Sequence, residues 1–218
     1  DGQKVGRMQA EFITDRIKKG NLGYAGGNPK DNNAHIFHDA SMEVINEKVD
    51  KGEINLIFDK YTDNWLSENA YQNLKDWMKG NPGTKIDGII GANDGVAMGI
   101  VKALGEAGLA GKVEVVGQDG DLQVCQNIVE GTIAGTIYKS TKNLGYGAAE
   151  VAYNVAMGSS VESNGTINNG KKDVPSFFLD PVLVTRENMV DTVIMDGSQK
   201  YDDVYKNVPE KDRPKKPD

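Results

Sequence analysis

The sequence predicts an α/β protein in which a parallel β-sheet is flanked by helices. Short apolar runs rich in β-branched residues alternate with longer segments whose apolar residues recur at helical spacing. The joints between these segments are short and polar, which is typical of a sheet whose parallel strands are connected through helices. A chain of 218 residues is long enough to bury the core that such a sheet needs.

Strands and helices alternate regularly up to about Tyr138. The first helix carries an apolar stripe that includes Val5 and Phe12, and Gly20 ends it. Glycine-containing joints stop two later helices, at 80–83 and at Gly108. The other helices predicted in this part are 33–49, 66–78, 96–104 and 122–129. The predicted strands are 22–25, 54–58, 86–90, 113–116 and 133–138.

The pattern changes in the last third of the chain. A further helix is predicted from about Lys142 to Met157, and the Ser-, Gly- and Asn-rich stretch 158–170 is predicted as a loop or hinge. Two prolines in 174–184 permit only edge or crossover strands there. From about Asp196 the chain is rich in Lys, Asp and Pro and has little to bury, so we expect it to be mobile or to lie on the surface.

The composition excludes several classes of protein. The chain has 25 Lys and Arg against 32 Asp and Glu, a net charge of −7, and no basic cluster, so nucleic acid is not an expected partner. The single cysteine, Cys125, excludes an intrachain disulfide framework. No apolar run approaches the roughly 20 residues that a membrane helix needs.

Polar and aromatic side chains follow every predicted strand. Ligands of parallel α/β sheets bind outside the carboxyl ends of the strands, so we expect a site in these segments. A carboxylate or amide can hydrogen-bond two neighbouring hydroxyl groups, and an aromatic face packs on the C–H surface of a sugar ring. The set therefore indicates a neutral polyhydroxy ligand, although the same Asn, Asp and Gly residues also cap helices and form turns. The segments are 26–33, 59–65, 92–95, 117–121 and 138–140.

Signals for catalysis, a metal or a cofactor are weak. His35 and His38 lie three apart on one predicted helix with Asp39 beside them, but no third ligand is in reach. No phosphate-binding loop, dinucleotide fingerprint or nucleophile elbow occurs. The carboxylates that could serve in acid catalysis have no evident neighbour that would raise the pKa, so we expect no enzyme activity, no cofactor and no metal. These carboxylates are Asp94, Asp119 and Asp121.

Five strand-end motifs occur together in one order. They are Asp31-Asn32-Asn33-Ala34, Asn64-Trp65-Leu66-Ser67-Glu68-Asn69-Ala70, Ala92-Asn93-Asp94, Gly117-Gln118-Asp119-Gly120-Asp121-Leu122 and Tyr138-Lys139. This set resembles the type I periplasmic sugar-binding family of bacterial ABC importers, in particular its xylose-binding members, and the match covers nearly the whole chain. The resemblance implies two α/β lobes joined by three crossovers, with the sugar held between the lobes.

The resemblance also implies which residues contact the sugar. The aromatic ring of the set stacks on the sugar ring, while amide, carboxylate and ammonium groups hydrogen-bond its hydroxyl groups, the lysine from the hinge. The implied residues are Asp31 or Asn33, Trp65, Asn93, Asp119 and Lys139. The choice between Asp31 and Asn33 stays open because Asp31, Asn32 and Asn33 are adjacent.

The family architecture further implies a division of the chain. Residues 1–138 form the C-terminal sugar-binding lobe, 139–172 the hinge and a remnant helix of the N-terminal lobe, 173–195 the returning crossover and an element of the C-terminal lobe, and 196–218 a surface tail. Family members carry a further segment ahead of the position that matches Asp1, so we expect a C-terminal fragment whose N-terminal lobe is missing. Without that lobe the predicted helix 142–157 exposes an apolar face, which the missing lobe or self-association would cover.

The expected function is therefore that of the substrate-binding component of an ABC-type importer for D-xylose or a similar pentose or hexose. The expected location is the periplasm or the extracellular face of the cytoplasmic membrane. Besides the monosaccharide and the missing lobe, the expected partner is a transporter permease or a membrane sensor. The alternative is a sugar-sensing module, either the extracellular partner of a sensor kinase or the effector lobe of a LacI-type repressor.

Overall fold

The computed structural model describes residues 1–217 and is organised around a sheet of six strands. The described residues contain these six strands and two more, β6 and β7, that lie outside the sheet. In chain order the strands are β1 (Gly20–Ala25), β2 (Ile54–Lys60), β3 (Gly88–Gly91), β4 (Glu114–Gln118), β5 (Gly135–Tyr138), β6 (Gly165–Asn168), β7 (Asp173–Ser176) and β8 (Val182–Val184). The strand order in the sheet is β2-β1-β3-β4-β5-β8. Strands β1 to β5 run parallel and β8 is antiparallel to β5, which confirms the predicted α/β class.

Helices cover both faces of this sheet. In chain order the α-helices are α1 (Gly2–Ile17), α2 (Asn32–Asp50), α3 (Ser67–Gly80), α4 (Asp94–Glu106), α5 (Leu122–Glu130), α6 (Thr141–Ala156) and α7 (Tyr201–Val204), and it is α1 to α5 that pack on the two faces. Neighbouring residues of one strand point to opposite faces, so Ile90 packs with α1 and α2 while Ile89 packs with α3, α4 and α5. Burial of these apolar side chains from both faces is the main source of stability for a parallel sheet.

The segment after β5 leaves the body of the fold. α6 is capped by Ser140, whose hydroxyl accepts a hydrogen bond from the N–H of Asn143, yet none of the sixteen residues of α6 is buried. β6 and β7 form a separate antiparallel hairpin. The prediction of a continuous loop over 158–170 is therefore wrong for β6. Strand residues 166–168 are all exposed. Because no side chain alternates between buried and exposed positions, the sequence lacks the apolar–polar alternation by which a strand is recognised.

The C-terminal segment is anchored more firmly than its composition suggests. A π-helical turn, Val190–Ile194, leads to α7, which packs beside α5. The expectation that this tail has little to bury is corrected, because four side chains at helical spacing enter the core that lies around α5: Tyr201, Val204, Tyr205 and Val208. Intervening Asp and Lys residues conceal this stripe in the sequence. The last residue of the predicted tail, Asp218, lies outside the described residues.

Candidate functional site

The candidate site lies at the carboxyl edge of the sheet, where β1 to β5 all end. Because these strands are parallel, the segments that follow them meet at one edge. This edge collects the predicted residues, each shortly after a strand. Asp31 follows β1, Trp65 follows β2, Asn93 follows β3, Asp119 follows β4 and Lys139 follows β5.

Asp31 connects the start of α2 to the aromatic residue of the site. One carboxylate oxygen accepts a hydrogen bond from the backbone N–H of Asn33 over 2.9 Å and so caps the helix. The other accepts a hydrogen bond from the indole Nε1 of Trp65 over 3.2 Å. Asn33 is exposed on the first turn of α2 and joins this arrangement through its backbone. One side chain therefore both caps α2 and holds the indole of Trp65.

Trp65 is held in an unusual backbone conformation. Asn64 and Trp65 have φ values of 55° and 58°, in the left-handed region that costs a non-glycine residue about 1 kcal/mol or more. The indole lies directly over Gly27, where an added Cβ would come within 2.0 Å of the ring. Its centroid lies 6.4 Å from that of Phe37, edge to face. The half-buried indole is thus fixed by neighbours on several sides.

Phe37 joins the aromatic part of the site to its charged part. The ammonium of Lys139 lies 5.5 Å from the centroid of the Phe37 ring, within range of a cation–π interaction. The same ammonium lies 3.3 Å from the carboxylate of Asp119. The sequence places Phe37 only within the predicted helix 33–49. Helical spacing gave no signal that its ring reaches both Trp65 and Lys139, since those contacts depend on the tertiary fold.

Asp119 and Asn93 complete the set. Burial raises the pKa of Asp119, as does the neighbouring Asp121, while Lys139 and a hydrogen bond from Asn93 act in the opposite direction. The carboxamide oxygen of Asn93 also accepts a hydrogen bond from the N–H of Val96 over 2.9 Å and caps α4. Side-chain exposures of 37% for Asp119 and 34% for Lys139 leave both groups with surface for a further partner.

Asp94 supports the site from beneath. Its carboxylate is fully buried and accepts hydrogen bonds from the N–H groups of Gly120 and Asp121, at 2.9 and 2.7 Å, and from the hydroxyl of Thr136 at 2.8 Å. An added Cβ at Gly117 would lie 2.2 Å from this carboxylate, so the strand must carry glycine there. Asp94 therefore ties the loop that carries Asp119 to β5.

The expectation that the available carboxylates lack any influence that raises their pKa is corrected for Asp119 and, more strongly, for Asp94. Burial raises the pKa of Asp94 to about 7, with Asp119 and Asp121 as smaller contributors. Raised carboxyl pKa values are common in acid catalysts, but a catalyst must contact its substrate. Because Asp94 has no exposed surface, its shifted pKa belongs to its structural role.

The two histidines connect α2 to the end of β2 and to the loop that follows it. His38 lies 3.1 Å from both Asp39 and Asp59, and its pKa is raised, chiefly by the hydrogen bond with Asp59. His35 lies 3.1 Å from the hydroxyl of Tyr61. Within residues 1–217 no group of three or more His, Cys, Asp and Glu side chains has the arrangement of a metal site.

The site thus presents a ring, an amide, a carboxylate and an ammonium on one surface. A carboxylate and an ammonium in contact can address adjacent hydroxyl groups, one as acceptor and the other as donor. An indole beside them offers an apolar face of the kind that packs on sugar C–H groups. The geometry accordingly fits a small neutral ligand rich in hydroxyl groups.

Comparison with known proteins gives the family. A family model described as a periplasmic binding protein domain matches residues 1–160. The chain belongs to this family. Its members are periplasmic solute-binding proteins, which are not enzymes. The expected family and location are thereby confirmed. In the part of the chain that the structure describes, no helix has both the length and the apolar character required to cross a membrane.

Similar proteins include two D-xylose-binding periplasmic proteins. The one from Escherichia coli is 41% identical over 92% of this chain and 60% of its own length. The one from Haemophilus influenzae is 37% identical over 94% of this chain and 61% of its own length. A solved solute-binding protein from Clostridium phytofermentans with bound β-D-glucose has a TM-score of 0.82 and 26% identity, covering 94% of this chain and 68% of that one. The chain thus spans about three fifths of the length of these xylose-binding relatives.

Proposed function

We propose that this chain provides one wall of a monosaccharide-binding cleft in the substrate-binding component of an ABC-type sugar importer. The main support is the continuous contact path Asp31, Trp65, Phe37, Lys139 and Asp119 along the carboxyl edge of the sheet. It combines an aromatic platform with donors and acceptors at the place where parallel α/β sheets bind ligands. The homologues, which are sugar-binding components of such transporters, support the same function.

D-xylose, or a pentose or hexose of similar shape, is the proposed ligand. Two of the relatives are named for D-xylose, while one solved neighbour contains β-D-glucose. The two sugars differ by a hydroxymethyl group, and discrimination of that size depends on pocket shape. In the proposed role, Trp65 stacks on the sugar ring, and Asp31 or Asn33, together with Asn93, Asp119 and Lys139, bonds to hydroxyl groups.

A second lobe is proposed as the opposite wall of the cleft. Residues 1–138 would form one lobe with 173–195 returning to it, and the hinge and α6 within 139–172 would belong to the other. α6 supports this division, because Leu144, Tyr153 and Val155 are 47%, 66% and 63% exposed. A helix with such a face is stable when a partner covers it. The other proposed partner is the transporter permease, which would receive the loaded protein.

Calorimetric titration with D-xylose, D-glucose and D-ribose tests the ligand class directly. The titrations are run on the chain alone and on the chain mixed with the N-terminal lobe of a xylose-binding relative. Binding of one sugar, in either sample, supports the proposed function. Absence of heat with all three sugars in both samples, when the lobes are shown to associate, contradicts it. Sedimentation of the chain alone reveals whether self-association covers α6 instead.

Tryptophan fluorescence adds a residue-specific readout. The chain has two tryptophans, Trp65 in the site and Trp77 packed edge to face on Phe58. In a Trp77→Phe variant the emission reports Trp65 alone, so a sugar-dependent change assigns the ligand to this surface. Trp65→Phe, with Trp77 retained, is the matched control and should show no such change. A response that persists in Trp65→Phe places the sugar elsewhere.

A further inference from the structure

The two loops that carry Lys139 and Asp119 are held by one short segment near the C-terminus. One carboxylate oxygen of Asp196 accepts hydrogen bonds from the hydroxyl of Tyr138 and, over 2.9 Å, from that of Ser140. Three residues later, the side-chain amide of Gln199 donates to the backbone carbonyl of Gly120 over 2.8 Å. We call Asp196 and Gln199 the C-terminal clamp.

Each contact of the clamp lies next to a site residue in the chain. Lys139 stands between Tyr138 and Ser140, so both its neighbours are bonded to the same carboxylate. Asp119 precedes Gly120, whose carbonyl oxygen accepts the hydrogen bond from the side-chain amide of Gln199. The clamp therefore acts on both partners of the 3.3 Å pair between the Lys139 ammonium and the Asp119 carboxylate.

The two loops also depend on each other through Tyr138. An added Cβ on Gly120 would lie 2.8 Å from the Tyr138 ring, which shows that the ring packs directly against the Asp119 loop. Asp119 itself has a φ of 124°, a conformation that persists in a non-glycine residue only when its surroundings hold it. Movement of Tyr138 would thus disturb both sides of the ion pair.

The charge of the clamp suits this role. The hydrogen bond from Tyr138 is the largest of the influences that lower the pKa of Asp196, with Ser140 and Lys142 adding to it. The carboxylate is therefore ionised at neutral pH and forms charge-assisted hydrogen bonds, which are stronger than neutral ones. Among the described residues, none of the side-chain hydrogen bonds of Asp196 or Gln199 reaches a residue of the contact path, so the clamp acts on the site through the residues next to Lys139 and Asp119.

We propose that Asp196 and Gln199 are positioning residues for sugar binding, Asp196 through Lys139 and Gln199 through Asp119. This inference rests on the proposed function in one respect, that Lys139 and Asp119 contact the ligand. Removal of the Asp196 carboxylate frees the hydroxyl groups on both sides of Lys139, and the ammonium then loses its fixed place beside Asp119. Affinity for the sugar falls although no direct contact has been deleted.

A double-mutant cycle in the full chain tests the route through Lys139. Asp196→Ala is expected to raise the Kd for D-xylose about tenfold, and the isosteric Asp196→Asn to raise it less because the amide oxygen still accepts a hydrogen bond. In a Lys139→Met background, Asp196→Ala should have a clearly smaller effect, limited to what Tyr138 transmits to the Asp119 loop. Asp202→Asn, which removes the exposed partner of Lys216, is the control and should leave Kd unchanged. An undiminished effect of Asp196→Ala in the Lys139→Met background overturns the proposal.

A second measurement does not require a ligand. Carbon-13 NMR titration follows the carboxyl of Asp119, whose pKa Lys139 lowers. Displacement of Lys139 in Asp196→Ala should raise the Asp119 pKa, and Asp196→Ala should raise it much less once Lys139→Met is present. An unchanged Asp119 pKa in folded Asp196→Ala and Asp196→Asn contradicts the clamp. If the wild type binds no sugar either alone or with the associated N-terminal lobe while this titration behaves as expected, the proposed function fails and the clamp stands as a structural device.

Discussion

The indole N–H of Trp65 donates a hydrogen bond to the Asp31 carboxylate over 3.2 Å, so the residue that caps α2 also orients the ring of the site. The start of α2 and the indole of Trp65 are therefore coupled through Asp31. Because both oxygens of one carboxylate are used, we expect a change at Asp31 to affect both the stability of the fold and the affinity for sugar. The choice of substitution can separate these two effects.

Asp31→Asn should separate the effect on stability from the effect on sugar affinity. Asparagine caps helices about as well as aspartate, so the melting temperature should change little. The hydrogen bond from Trp65 then goes to a neutral acceptor or is lost, and we expect the affinity for D-xylose to fall about threefold to tenfold. Asp31→Ala should lower affinity and, in addition, cost about 1 kcal/mol of unfolding free energy. Equal affinity in wild type and both variants would falsify the role assigned to Asp31.

Gly27→Ala should displace the indole. The added methyl group would lie 2.0 Å from the ring of Trp65, and the ring must move because the backbone beneath it is part of the fold. We expect sugar affinity to fall about tenfold or more, as when an aromatic anchor is lost, together with a shift in Trp65 emission. Gly105→Ala is the matched control, since a Cβ there meets open space within a helix. It should leave affinity unchanged and raise stability slightly.

The stability of the protein should depend on pH through Asp94. Its pKa is about 7 in the folded chain, above the ordinary value of 3.8 for the unfolded chain. Between these values only the folded state holds the proton, so the contribution of Asp94 is fully present below about pH 4 and is lost as the pH rises towards 7. The decline is at most about 1.4 kcal/mol per pH unit, and above pH 7 it levels off.

Asp94→Asn supplies the reference for this measurement. The amide stays neutral, its oxygen can accept from the two loop N–H groups, and the hydroxyl of Thr136 can accept from its nitrogen. Urea unfolding of both proteins between pH 4 and 8 gives the difference in unfolding free energy, which should fall with pH for the wild type relative to the variant. His38 titrates in both proteins and cancels. A difference that is flat from pH 4 to 7 contradicts the raised pKa.

The C-terminal stripe should matter for stability although its composition is polar. Val204 is fully buried beside α5, and Val204→Ala is expected to reduce the unfolding free energy by roughly 2 kcal/mol through loss of packed methyl groups. Asp203→Ala, at an exposed neighbouring side chain, should change it by no more than about 0.5 kcal/mol. Chemical unfolding compares the two, and equal small effects would mean that this segment does not belong to the folded core.

The sequence predicts the sheet well because its signals are local. Alternation of apolar strands with helix-period segments indicates parallel pairing, and parallel pairing brings the ends of β1 to β5 together. On that basis and through the family resemblance, the sequence predicts Trp65, Asn93, Asp119 and Lys139, together with either Asp31 or Asn33. Their contact with a sugar stays a prediction.

The features that sequence reasoning missed depend on distant contacts. The ring of Phe37 links Trp65 to Lys139 across three separate segments, and nothing in its helix distinguishes it from other buried residues. Asp94 was seen as an available carboxylate, whereas burial makes it an internal anchor. The Tyr and Val stripe of 201–208 was hidden because a segment with many charges was expected to remain solvated.

The late return of β8 has a consequence for synthesis of the chain. β5 pairs with β4 on one side and with β8 on the other, and α6 and the β6–β7 hairpin intervene before β8 appears. A nascent chain can therefore assemble five strands while the outer edge of β5 still has open hydrogen-bonding groups. Unpaired edges of this kind readily capture strands of other chains. Translation between Tyr138 and Val182 is thus the interval in which this protein most needs shielding from its own copies.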